Sequence, residues 1–266
     1  MNTEKSGNVP ADMVVGTIHA TNSCGKLVIV KYDNKKDVLI RFVDTGYECI
    51  VESGHIRKGS VKDHYSPSVY GVGYLGVGRH RAKIDGVNTK VYKTWNGMLR
   101  RCYDHKCHAK RHTYIGCKVT DEWHNFQTFG DWFEANYPAD EVDYALDKDL
   151  KGTGNKVYSA DNCLFVSVSV NNFLTACDAA RGEYMIGCCY RESKGKFQVH
   201  CRNPFTGKLD HLGYFPDELT AHLAWRDKKA EHALELANQQ TNPDVKNAIL
   251  RWREDLINGK IHPLDN

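Results

Sequence analysis

The sequence predicts an α+β chain of several domains. In order these are a small N-terminal β-barrel, a central domain of helices and a strand–loop–strand–helix stretch, and a C-terminal three-stranded sheet with a helix. Three observations predict this. Val28, Val30 and Tyr32 alternate with Leu27, Ile29 and Lys31, the period of a strand with two unlike faces. Trp95, Met98, Leu99 and Cys102 fall at i, i+3, i+4 and i+7, one stripe of a helix. Phe197, Val199 and Cys201 alternate with Lys196, Gln198, His200 and Arg202, a strand again. The chain of 266 residues exceeds what one typical core needs, so several domains are expected.

Hydrophobic residues at 41% and charged residues at 26% place the chain among ordinary globular proteins rather than disordered or fibrous ones. No apolar run reaches the roughly 18 residues of a membrane span. Met1 to Asp12 is polar and carries no signal-like stretch, so the expected location is the cytoplasm. Ten cysteines without a CxxC pair fit reduced thiols there better than a disulfide framework. Charge is strongly segregated. Gly78 to Lys118 holds eleven Lys or Arg against Asp85 and Asp104, and Val119 to Asp149 holds nine acids against Lys148. A basic block suits a polyphosphate backbone, whose neutralisation releases condensed counterions. A solvated face would show the same charge run.

Residues 13–61 contain two strand-like runs separated by the polar turn Asp33 to Asp37, with further breaks at Cys24-Gly25 and Thr45-Gly46. This resembles a Src-homology or Tudor barrel, a type that binds peptides or nucleic acid, so a protein partner could dock here. Residues 62–90 read as a Gly-rich linker and basic segment. Gly71, Gly73 and Gly76 form a nominal GxGxxG, but no helical period follows, which favours a flexible or closely packed glycine loop over a dinucleotide site. Arg100 and Arg101 lie off the apolar stripe of the first central helix, towards solvent or phosphate. Phe126, Phe129, Trp132 and Phe133 mark a second helix ending before Pro138. Between them Cys102, Cys107, His108, His112 and Cys117 invite a zinc reading. The absence of a C-x2-C knuckle and the crowding by Lys106, Lys110, Arg111 and Lys118 favour a basic loop with incidental histidines, and structural zinc is disfavoured.

Tyr144 to Leu174 reads as a strand ending near Leu146-Asp147, a Gly-rich loop, the strand Cys163 to Val166, and a helix begun by a Ser cap that carries Asn171 and Asn172. This ββα order resembles the metal finger of HNH nucleases. The wider stretch 91–178, with Trp95, Arg101-Cys102-Tyr103, Tyr114 to Cys117, Glu122-Trp123 and Leu146 to Asp149, is similar to phage-encoded HNH-type homing endonucleases. The resemblance implies a divalent cation, Mg or Mn, held by Asp147 and Asn171 and stabilising charge on a scissile phosphate. It implies that Asn162 pins the strands. It puts Lys148 where the family has its general-base histidine, and a cationic lysine binds phosphate but takes no proton from water. The other reading of Asp147 and Asp149 is a turn with a local ion pair to Lys148.

Residues 184–238 read as strands near Gly187 to Tyr190, Lys196 to Arg202 and His211 to Tyr214. A helix follows from about Asp217 with Leu219, Leu223 (or His222), Arg226 and Ala230 as its period. The outward row Lys196, Gln198, His200 and Arg202, with Arg191, offers donors that fit a DNA major groove. An antiparallel sheet with one solvated face shows the same alternation. Gly187, Tyr190-Arg191, Phe197, Leu212 to Phe215, Ala221, Ala224 and Trp225 are similar to the plant ethylene-response-factor (APETALA-type) domain, which reads DNA through that sheet face. Residues 242–259 form a final amphipathic helix through Val245, Ile249, Trp252 and Leu256.

Together the two resemblances imply a metal-dependent, site-selective DNA endonuclease. Arg100, Arg101, Lys110 and Arg111 would contact the phosphates of duplex DNA. The alternative from another class is a DNA-binding regulatory protein that kept the scaffold and lost cleavage, and a third is an adaptor that docks a protein on the barrel.

Overall fold

The computed structural model describes residues 9–140, 142–151, 156–174 and 183–260. It is a mixed α/β structure with seven α-helices and several small sheets among the described residues. The chain divides into two compact units, 1–134 and 135–266. The division falls inside the expected 91–178 domain.

The first unit opens with β1 (Ile18–Ala20), β2 (Lys26–Asn34), β3 (Asp37–Phe42) and β4 (Glu48–Val51), an antiparallel meander in that order. The expected barrel does not form. β1 pairs with β2 and β4 with β3, so the sheet stays open at both edges. The core is covered instead by α1 (Ser53–Arg57) and flanking chain, which contribute Ile56, Met13 and Val61 to Leu27, Ile29, Val38, Ile40 and Phe42. A register shift after Ile29 changes the parity of β2, so Leu27, Ile29 and Tyr32 all face this core opposite Phe42, Ile40 and Val38.

The glycine-rich segment that follows is closely packed. The Tyr74 amide donates to the His124 carbonyl and the Phe126 amide to the Tyr74 carbonyl, both at 2.9 Å. A Cβ at Gly73 would collide with Leu99 and Trp95. β5 (Lys83–Ile84) and β6 (Val87–Asn88) make an exposed hairpin leading into α2 (Lys90–Tyr103), whose first turn is capped by the Thr89 hydroxyl. The expected stripe is buried: Trp95, Met98, Leu99 and Cys102 are at most 4% exposed. The Trp95 indole donates to the Trp123 carbonyl at 2.7 Å, which satisfies the polar atom of a fully buried ring. After α2 come α3 (His105–His108), β7 (Lys118–Val119) and α4 (Phe126–Asn136), with Phe126 and Phe129 buried.

The second unit contains β8 (Tyr144–Asp147), β9 (Val157–Tyr158), β10 (Leu164–Ser167) and α5 (Val168–Leu174). β8 and β10 pair antiparallel, with Asp147 opposite Leu164, and α5 packs on both. β11 (Cys188–Arg191), β12 (Lys196–Arg202) and β13 (Leu209–Phe215) form the three-stranded sheet in that order. α6 (Glu218–Asn238) covers it, capped by Asp217, and α7 (Pro243–Ile257) follows, capped by Asn242. The buried face of α6 is the expected one only in part, since His222 and Ala230 are buried as expected. Leu219 is 46% exposed, while Ala221, His222, Trp225, Ala230 and Ala233 turn inward. Val199 and Cys201 pack on Ala221 and Trp225. A second cluster joins Leu164, Val166, Val170 and Phe173 to Ala233, Leu236, Val245 and Ile249, so the ββα element is packed against α6 and α7.

Candidate functional site

Three groups of side chains carry chemistry. The first is the ββα element. Asp147 ends β8, where its Oδ1 accepts the amides of Asp149 and Leu150, each at 2.8 Å. This turn geometry follows from an Asp at a strand end, whose side chain replaces the lost ladder partners. Oδ2 accepts no hydrogen bond from the described residues, and burial pushes the carboxyl above its ordinary range despite those two amides. Asn162 sits in the loop, where its side-chain amide donates to the Val157 carbonyl at 3.3 Å and its own amide to Ser159 Oγ at 3.2 Å. Both bonds stay within the segment 157–162. Asn171 lies in α5, half-buried. Lys148 is only 5% exposed; its ammonium donates to Asp149 Oδ1 and lies 5.7 Å from the Tyr158 ring centroid. The Gly-rich loop at 152–155 lies outside the described residues.

Asp147 Oδ2, which accepts no hydrogen bond from the described residues, and the side-chain amide oxygen of Asn171 are hard donors, the type that suits Mg or Mn. His80, Asp131 and Glu134 are the one group of three among the described residues whose His, Cys, Asp or Glu ligand atoms come within 4.8 Å of one another. That group lies in the first unit and was not expected from sequence. Arg79 already pairs with both acids there, and His80 Nε2 meets Asp131 Oδ1 at 2.9 Å. It ties residues 79 and 80 to α4.

The second group is the outer face of the C-terminal sheet. Lys196 and Arg202 are exposed and Gln198 and His200 half-exposed, on the side opposite buried Val199 and Cys201, as expected. Arg191 Nε donates to Gln198 Oε1 at 2.6 Å, and Gln198 Nε2 to the Tyr214 hydroxyl at 3.2 Å. Lys194 stands 3.8 Å above the Tyr214 ring, and His200 and His211 lie with centroids 5.0 Å apart. Arg202 donates to the Gly207 carbonyl at 3.2 Å. Burial, then His211 and Arg191, push the His200 imidazole below its ordinary value. Sequence reasoning missed Lys194, His211 and Tyr214. Alternation along β13 could not have found both His211 and Tyr214, because they share a face only through the register shift between Val199 and His200, and Lys194 lies in the turn before β12.

The third group surrounds a concavity of about 240 Å³ between the end of α2 and the chain after α3, lined by Arg100, Asp104, Lys106, Cys107, Lys110 and Arg111. Three of the four expected phosphate contacts therefore converge. Arg101 does not join them, and stands 5.7 Å from the Tyr114 ring centroid. The cysteines of the zinc reading are buried, and His108 Nε2 meets the Arg101 carbonyl at 2.9 Å. No match of the chain to a protein family, a curated protein or a solved structure was found. No helix among the described residues is long and apolar enough to cross a membrane.

Proposed function

We propose that the protein is a metal-dependent, site-selective DNA endonuclease of the HNH type. The observation that carries this is the ββα element itself. A two-stranded hairpin ends in Asp147, Asn162 braces the intervening loop, and a helix bearing Asn171 packs on both strands. Asp147 and Asn171 would hold the cation, which when bound supplies positive charge to the scissile phosphate. Lys148 would neutralise a neighbouring phosphate oxygen. Duplex DNA is bound by phosphate contacts from the basic segment, and its sequence is read by the outer sheet face. Arg191 and Tyr214 hold Gln198 in a fixed orientation there before any base arrives, which lowers the ordering cost of a base contact.

A second reading, a DNA-binding protein without cleavage, is favoured by one specific observation. Lys148 takes the general-base position and is buried against Asp149. Incubation with supercoiled plasmid and magnesium or manganese, with a chelator control, separates the two. Wild type is expected to nick the plasmid and Asp147→Ala to abolish nicking while DNA affinity stays near wild type. If Asp147→Ala cuts like wild type, the site is misassigned. If wild type never cuts with either metal, the non-catalytic reading holds.

A further inference from the structure

We propose that the concavity between α2 and α3 is a binding site for a phosphomonoester, the terminal phosphate of a DNA strand. The DNA source rests on the proposed function; the phosphate site does not. The pocket is built by a chain corner. Asp104 leaves helical geometry at φ −91° and ψ 111°, which ends α2, and its carboxylate accepts the Lys106 amide at 2.9 Å to start α3. Buried Cys107 anchors the new turn, and its carbonyl accepts the amides of Lys110 and Arg111 at 3.1 and 2.9 Å. This winding brings Arg100 and Arg111 around one hollow.

Four cations line that hollow against one acid, a formal +3. Among the described residues none of Arg100, Lys106, Lys110 and Arg111 forms an ion pair, whereas Arg41, Arg57 and Arg79 elsewhere in this unit all do. Unpaired cations gathered in a concavity repel one another, so an anion placed there is strongly favoured. The charge selects the ligand class. An internal phosphodiester carries one negative charge, whereas a phosphomonoester carries about −1.5 to −2 at neutral pH and offers three acceptor oxygens. Two guanidinium groups add planar, two-pronged donors matched to phosphate.

The test compares one short duplex carrying 5′-phosphates with the same duplex carrying 5′-hydroxyls, by fluorescence anisotropy at fixed salt. Inorganic phosphate and deoxyadenosine monophosphate serve as competitors. Wild type is expected to prefer the phosphorylated duplex by about tenfold, the scale of one charge-assisted hydrogen bond. In the Lys106→Gln/Arg111→Gln variant the ratio is expected to fall towards one. Both side chains are exposed, so circular dichroism is expected to match wild type. Equal binding of both duplexes by wild type overturns the proposal and leaves DNA binding standing. If neither duplex binds, the DNA reading falls. The phosphate site then stands if the mononucleotide binds wild type and not the variant, and falls if it binds neither.

Discussion

Lys148 is 5% exposed beside an Asp149 that is largely solvated. Its ammonium donates to Asp149 Oδ1, and an ammonium group has no lone pair to accept a proton. If the finger binds a cation, a base at this position would add to the hydrolysis that the cation supports. Lys148→His is therefore expected to raise metal-dependent nicking of supercoiled plasmid by about tenfold or more, within the usual worth of a positioned base. A decrease, with folding intact by circular dichroism, would assign Lys148 a phosphate-binding role that histidine cannot fill. A second residue-scale consequence concerns acid stability. His200 is pushed below 6.5 by burial, His211 and Arg191, and His232 is pushed down by burial and Lys228. An imidazole with a lowered folded value binds fewer protons folded than unfolded just below 6.5, so stability falls as pH drops through that window. His200→Gln is expected to make urea midpoints less sensitive to pH between about 7.5 and 5 than in wild type. An unchanged slope would mean His200 titrates freely on the sheet surface.

At the scale of elements, close packing explains which sequence signals were readable. The strand at Lys196–Arg202 and the helix at Lys90–Tyr103 were legible because each buries one face, and a single period records that face. Closure of the first sheet was not legible, because it depends on whether β1 meets β4, and local alternation says nothing of non-local pairing. The inward side of α6 was legible at His222 and Ala230 but not throughout. It also packs Ala221 and Trp225 rather than Leu219, so bulk hydrophobicity at that end pointed to the wrong residue. Gly187 shows how tight this contact is: its φ is +87°, and a Cβ there would overlap the Trp225 ring. Gly187→Ala is expected to destabilise the protein by roughly 2 to 4 kcal/mol, combining left-handed strain with overpacking. Chemical denaturation checks it, and a loss below about 0.5 kcal/mol, the range of an ordinary surface substitution, would show that Trp225 can step aside. The candidate site divides the same way. Asp147 and Asn162 were legible from order along the chain. The gathering of Arg100 with Lys106 depends on the Asp104 corner, and Arg101 was diverted to Tyr114.

Two sets of cations, one in each unit, stand in different surroundings. Around α2 and α3 four cations gather in a hollow with one carboxylate, Asp104. On the sheet they alternate with Gln198, Tyr214 and histidines, groups that both give and accept hydrogen bonds. Phosphate contacts carry affinity and salt dependence without sequence information, whereas base-edge contacts carry discrimination. Replacing Arg100, Arg101, Lys110 and Arg111 by Ala is thus expected to weaken duplexes of every sequence alike, and those carrying 5′-phosphates most. It should also flatten the log-affinity against log-salt slope by about 3, since each lost phosphate contact removes roughly 0.9 and Arg101 is partly engaged with Tyr114. Gln198→Ala is expected to do the opposite: the slope stays, while preference for the selected site falls by about 1 to 3 kcal/mol. Selection from randomised duplexes and salt titration of both variants decide the matter. If the first variant loses sequence preference, or the second loses slope, the two units do not divide the work, and the sheet is a structural element rather than the reader.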